Sequence, residues 1–296
     1  MLDGAIVVFC AVGGVEAQSE TVWRQSDKYK VPKIVFINKM DRLGADFYKV
    51  LKEIEDKLAA NTVPLQIPQG AEAEFKGVID LIQMKAYLYT SEDDQKKFTI
   101  EDIAPEYLEN AKKWRHHLLE KACSIDESLA DKYLKDENSI TQEELQNAIR
   151  KGAIVNKLIP VLCGSALKNK GLPQLLDAVV SYLPSPLDLS AIEALDPYNC
   201  ENKIQVSPSV KEPFAALAFK VQAYPHVGKL IYFRVYSGYL NAGSYILNST
   251  KNKKERIGRI LQMHANQKEN KSMILAGDIG AAVGLNNTTT GDTLCS

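Results

Sequence analysis

Short unbroken apolar runs alternate with amphipathic stretches at the start of the chain, and the rhythm then changes twice. Residues 5–10 and 33–37, the second entered after Pro32, have the length and β-branched content of strands buried on both faces of a parallel sheet. A third such run covers 158–164. Helical spacing follows each of them, at 19–29, 46–60 and 172–183. Strands alternating with helices predict a parallel sheet with right-handed crossovers.

Between the second and third runs lies an insertion, 62–155, with its own pattern. Strands are expected at 75–80 and 84–89, and helices at 105–124, 127–135 and 141–151. Thr141-Gln142-Glu143-Glu144 reads as a helix start, with Thr141 or Ser139 as N-cap and carboxylates in the first turn. After Pro184-Ser185-Pro186 a polar stretch, 185–210, reads as a linker. From 211 onward the period is that of strands: 215–222, 230–237, 245–248, 255–263 and 279–285, with turns at 240–243 and 275–278. Short strands at this spacing predict an antiparallel barrel. The expected fold is therefore an α/β core with an incomplete parallel sheet (1–61 and 156–184), an α+β insertion (62–155), and an antiparallel β-barrel (211–296).

Composition suits this division. The 296 residues are 45% hydrophobic and 25% charged, enough for more than one core. A net charge of −1 conceals an uneven distribution. The insertion holds 12 Lys/Arg against 18 Asp/Glu, and 211–296 holds 11 against 5. Within the barrel Lys251, Lys253, Lys254, Arg256 and Arg259 cluster on one hairpin, as solvated edge-strand charge or as a phosphate-contacting patch. The five cysteines are scattered without a Cys-x-x-Cys, which fits free thiols in a reducing compartment, and the four histidines show no metal-ligand spacing. The opening run lacks a basic flank and reaches Glu16 too soon to span a bilayer.

The candidate chemistry sits where the second run ends, at Asn38-Lys39-Met40-Asp41. Ligands of α/β sheets bind at the carboxyl ends of strands. Asp41 there offers a carboxylate able to accept hydrogen bonds from guanine's ring N–H and exocyclic amine. Adenine presents a different edge, and leaving a shielded carboxylate unpaired disfavours it. Asn38 can brace the loop, and the stem of Lys39 can lie over the base. The third run ends in Ser165-Ala166-Leu167-Lys168-Asn169-Lys170-Gly171, whose small residues let backbone N–H groups approach a ligand; the Ala166 N–H is the expected donor to the guanine carbonyl. No Gly-x-x-x-x-Gly-Lys-Ser/Thr occurs, so the phosphate cradle and the Mg²⁺ hydroxyl are missing from this sequence. Asp41-Arg42-Leu43-Gly44 matches Asp-x-x-Gly, but it overlaps the base-reading motif and is not read as a γ-phosphate sensor.

These motifs, with Val15-Glu16-Ala17-Gln18-Ser19-Glu20-Thr21-Val22-Trp23-Arg24-Gln25, Phe219-Lys220-Val221, Arg234-Val235-Tyr236-Ser237-Gly238 and Thr290-Gly291-Asp292-Thr293, resemble bacterial-type translation elongation factor G along essentially the whole chain. The resemblance implies a cytoplasmic, monomeric, ribosome-dependent GTPase that drives tRNA–mRNA translocation. It makes the core a P-loop-type G domain, the insertion a G′ subdomain facing the ribosomal stalk protein, and the barrel a second domain touching the small subunit and its RNA. GTP or GDP would be held by Asn38, Lys39, Met40 and Asp41 together with Ser165, Ala166 and Leu167, with Mg²⁺ bound only in a longer protein. By this resemblance the family's phosphate loop and switches are expected before Met1 and its later domains after the barrel, itself expected to be truncated before its last strands, so this is expected to be a central fragment, inactive by itself. Cys10 stands where the family commonly has an acidic residue. Two other readings stay open: a sister ribosomal GTPase (a release or tetracycline-protection factor), or a non-catalytic ribosome- or stalk-binding module.

Overall fold

A computed structural model describes every residue except Met1, 90–97, 189–190, 197–200, 225–227 and 266, and leaves the side chains of Asn138 and Tyr224 undescribed. Cys200 and His226, counted in the sequence, lie outside the described residues. The chain forms two compact units, Leu2–Pro184 and Ser185–Ser296.

In the first unit the elements run β1 (Ala5–Cys10), α1 (Ala17–Lys28), β2 (Lys33–Asn38), α2 (Phe47–Leu58), β3 (Thr62–Pro64), β4 (Gln66–Gln69), β5 (Gly77–Asp80), β6 (Lys85–Leu88), β7 (Thr99–Glu101), α3 (Pro105–Cys123), α4 (Glu127–Lys135), α5 (Gln142–Ile154), β8 (Ile159–Cys163) and α6 (Leu172–Tyr182). Four strands form the parallel sheet in the order β1-β2-β8-β3. Interior strands β2 and β8 are buried almost throughout, as their apolar runs require. At the edge, β1 departs from expectation: Phe9 is buried, but Ile6 and Val8 are 41% and 55% exposed. It has a strand neighbour on one side only. Thr62–Pro64, assigned to the insertion by pattern, pair with β8 and belong to this sheet. Three residues are too few to show a period.

The rest of the insertion contributes an antiparallel sheet, β4-β5-β6-β7, and the helices α3 to α5. Thr141 caps α5 in a capping box, its hydroxyl accepting from the Glu144 N–H while the Glu144 carboxylate accepts from the Thr141 N–H. Ile67, Val78, Ile79, Leu118, Leu145 and Ile149 pack into one core with Ile34, Ile37 and Val161 of the parallel sheet. The insertion is therefore fused to the sheet rather than hung from it.

The second unit contains β9 (Ile192–Leu195), β10 (Lys203–Val206), β11 (Ala215–Tyr224), β12 (Gly228–Ser237), β13 (Tyr239–Asn241), β14 (Tyr245–Asn248), β15 (Lys253–Arg256), β16 (Arg259–His264), β17 (Gln267–Lys271), β18 (Met273–Leu275), β19 (Ile279–Val283) and β20 (Thr293–Cys295). Eight of them form an antiparallel sheet in the order β15-β14-β20-β11-β12-β19-β16-β17 around Phe214, Ile231, Phe233, Val235 and Ile260. Two expectations change. Residues 255–263 are not one strand: the chain turns a corner at Gly258, so that β15 pairs with β14 and β16 with β19. A Cβ on Gly258 would meet the Val283 carbonyl at 2.9 Å. The supposed linker also holds an antiparallel hairpin, β9 with β10.

Candidate functional site

Parallel pairing of β2 with β8, Ile37 opposite Cys163, sets the two carboxyl ends side by side. The loops leaving them are stitched together by backbone: Gly164 N–H donates to Ile37 O at 3.0 Å and Met40 N–H to Gly164 O at 3.1 Å. Asn38 completes the seam. Its Oδ1 accepts from the Lys39 N–H at 2.8 Å and from the Ala166 N–H at 2.9 Å, across 128 positions of sequence. The bracing role expected of Asn38 is thus present in geometry, while the Ala166 N–H, expected to serve a guanine carbonyl, donates to Asn38 in this structure.

Lys39 is exposed and takes a left-handed backbone, φ 68°. Met40 turns inward and is fully buried, so it meets the site through its main chain and not its side chain. The Asp41 side chain is 15% exposed; it faces Lys168 Nζ at 3.9 Å and has no hydrogen bond recorded among the described residues. That leaves an acceptor pair shielded from bulk water with a cation at its edge, the electrostatics suited to holding the N–H edge of a base. Ser165 is buried and closes a tight loop, exchanging backbone bonds with Lys170 at 2.9 and 3.0 Å. Leu167 is 86% exposed at its tip. Gly164 has to be glycine: a Cβ would lie 2.2 Å from the Lys170 carbonyl.

Sequence reasoning missed the residues behind these loops. Glu72 Oε1 accepts from the Gly44 N–H at 2.7 Å, and the Glu72 N–H donates to Met40 O at 2.9 Å. Lys170 Nζ donates to Phe75 O at 2.8 Å, and the Gly171 N–H to the Tyr89 hydroxyl at 2.9 Å. Glu72, Phe75 and Tyr89 lie in no motif. Beyond the loops, an apolar groove of about 750 Å³ runs along β1 and α1, past Ile6, Val8 and Val22, and reaches the base side only at Lys39.

Residues 1–185 match the family model described as elongation factor Tu GTP binding domain. The chain belongs to that family. Residues 228–295 match elongation factor Tu domain 2. A crystal structure from Thermus thermophilus aligns with 99% of this chain at a TM-score of 0.81 and 24% identity, which shows a shared fold. This chain spans 40% of the length of that one. A parallel-sheet GTPase domain followed by an antiparallel β-barrel is the translational GTPase fold, and guanine nucleotide is the ligand of the matched domain. The residues present fit the base end of such a ligand. They do not fit Mg²⁺: no three acidic, His or Cys side chains converge among the described residues, and the hydroxyl-bearing phosphate motif is not in the sequence. Among the described residues no helix is long and apolar enough to cross a membrane.

The charged blocks are more occupied than their sequence suggests. Lys251 is tied into its own unit, 2.9 Å from Asp292 Oδ2 and 2.6 Å from Asn287 O. Lys253, Lys254, Arg256 and Arg259 remain exposed. In the insertion, Asp102 pairs with Lys85 at 2.6 Å, and that hydrogen bond holds its carboxyl below the usual range.

Proposed function

We propose that these residues form the base-recognition half of a cytoplasmic, ribosome-dependent GTPase of the elongation factor G type, acting in tRNA–mRNA translocation. The observation that carries the base-reading part is the shielded Asp41 carboxylate, without a hydrogen-bond partner among the described residues, at the seam where β2 and β8 end. In the complex with GTP or GDP, Asp41 accepts from the ring N–H and the exocyclic amine, and the Lys39 stem covers one face of the base. The loop Ser165-Ala166-Leu167 lines the carbonyl side. The groups that hold the phosphates and Mg²⁺ come from outside these 296 residues, which by themselves do not hydrolyse GTP.

Assignment to elongation factor G rather than a sister factor is supported by the sequence motifs and by the long acidic insertion between β3 and β8. The acidic insertion is the surface for the stalk protein. Lys253, Lys254 and Arg256 on β15, with Arg259 on β16 beyond the corner at Gly258, are the contact to small-subunit RNA.

The test is Asp41→Asn in the complete gene product, by equilibrium titration with guanosine and xanthosine nucleotides. Xanthine presents a carbonyl where guanine presents its amine, so the variant loses on the order of 2–3 kcal/mol toward GDP and gains toward the xanthosine nucleotide. Unchanged GDP affinity would remove Asp41 as the base reader.

A further inference from the structure

We propose that Glu72 and Tyr89, both in the insertion, are positioning residues of the base site, each fixing one of its two loops. The inference rests on the guanine reading above and adds the residues that hold its geometry.

Glu72 reaches the Asp41 loop at two points that bracket the carboxylate. Its N–H donates to Met40 O on one side of Asp41, and its Oε1 accepts from the Gly44 N–H on the other. Overlapping the bracket, the chain makes two further turns, Arg42 N–H to Lys39 O and Ala45 N–H to Arg42 O, both at 3.1 Å. Glu72 itself takes a left-handed backbone, φ 55°, which non-glycine residues adopt where surrounding contacts over-determine it. Gly70, two residues earlier, admits no side chain, because a Cβ would lie 1.9 Å from the Glu74 carbonyl. The loop is built to present Glu72.

Tyr89 does the equivalent work for the second loop. Its hydroxyl accepts from the Gly171 N–H and donates to Gln174 Oε1 at 2.8 Å, in a buried setting. A phenol keeps its donor proton at neutral pH in any case, and burial raises this one further above its ordinary value. Gly171 has φ 77° and ends the turn that Ser165 opens; a Cβ there would meet Cys163 O at 2.5 Å. Lys170 Nζ on Phe75 O adds a second tie from the insertion to this loop.

Asp41 and the loop Ser165-Ala166-Leu167 form one base site only while both loops hold one arrangement. Releasing either loop lowers the populated fraction of the competent site and weakens ligand retention by that fraction. The insertion thereby controls guanine affinity without touching the nucleotide.

In the complete gene product loaded with a fluorescent GDP analogue, Glu72→Ala and Tyr89→Phe each speed dissociation in a chase experiment by about fivefold to tenfold, the scale of one lost hydrogen bond. Glu72→Gln keeps the acceptor and stays within about twofold of the parent, as does Glu74→Ala in the same loop, whose side chain is 80% exposed. Both test variants also discriminate guanine from xanthine less well. If they lower only the melting temperature, with dissociation and base preference unchanged in a parent that binds GDP selectively, the positioning role is overturned and the guanine reading stands. A parent without selective GDP binding overturns both.

Discussion

Strands β1 and β2 lie side by side, in register from Ala5 with Lys33 to Cys10 with Asn38, and only one of them is covered. Ile34, Val35 and Ile37 on β2 are completely buried, while Ile6 and Val8 on β1 stand 41% and 55% exposed. The difference lies in the neighbours. β2 has a strand on each flank, whereas β1 ends the sheet and opens on a groove. It propagates to the loops beyond. Asn38, leaving β2, is held from both sides, its carbonyl accepting from the Ala11 N–H and its side chain from the Ala166 N–H. Cys10, its partner in register, has no such second flank. A recognition site needs its loops fixed within a fraction of an ångström, and only the interior strand ends provide that here.

The largest effect that sharpens this comparison is on stability. Ile37→Ala removes a fully buried side chain and is expected to cost about 2–5 kcal/mol, whereas Val8→Ala on the exposed edge costs less than about 1 kcal/mol. Both tryptophans, Trp23 and Trp114, lie in the first unit, so fluorescence-monitored urea unfolding reports on it. Equal costs would mean that β1 is covered in solution.

Next in size is the row at the strand ends. Asn38→Ala releases the Lys39 and Ala166 N–H groups together, and guanine nucleotide affinity in the complete gene product falls by about 1–3 kcal/mol. Cys10→Ala, one strand over in the same row, leaves affinity within about twofold. Calorimetric titration of the two variants breaks the comparison if Cys10→Ala is as damaging as Asn38→Ala.

The smallest effect is chemical and depends on pH. Burial tends to raise the Cys10 thiol, but the Gly13 and Val12 N–H groups, with Lys39 and Arg42, outweigh it and leave it below its ordinary value. Burial alone drives Cys163, at the end of β8, strongly upward. The thiolate is the nucleophile. Alkylation at Cys10 therefore reaches its plateau at a lower pH than a model thiol, while Cys163 in the folded protein stays unlabelled across the same range. Peptide mapping of iodoacetamide adducts checks both, and early labelling of Cys163 would show that the β2–β8 seam opens.

Much of this was legible residue by residue. Asn38-Lys39-Met40-Asp41 stands out in the sequence because the base reader proposed for it needs a carboxylate and an amide at fixed spacing. Thr141 and Glu144 announced a helix start because the capping box is local, three residues across. The part played by Met40 was not legible, since an apolar residue inside a motif reads as a ligand contact until packing shows it buried. Glu72 and Tyr89 were invisible for a related reason. One reaches 28 positions back to Gly44, and the other 82 forward to Gly171.

What the sequence determined by itself is whatever depends on neighbours in the chain: the apolar runs of β1, β2 and β8, the capping box at Thr141, the turns, and the placing of a carboxylate, Asp41, just beyond a strand end. Tertiary structure decided the rest. It placed β1 at the edge and β2 inside, drew Thr62–Pro64 into the parallel sheet, bent 255–263 at Gly258, and gave the Ala166 N–H to Asn38. Burial and hydrogen-bond partnership are properties of pairs distant in sequence. A pattern read along one strand reports how apolar it is, and only its neighbours settle which face meets water.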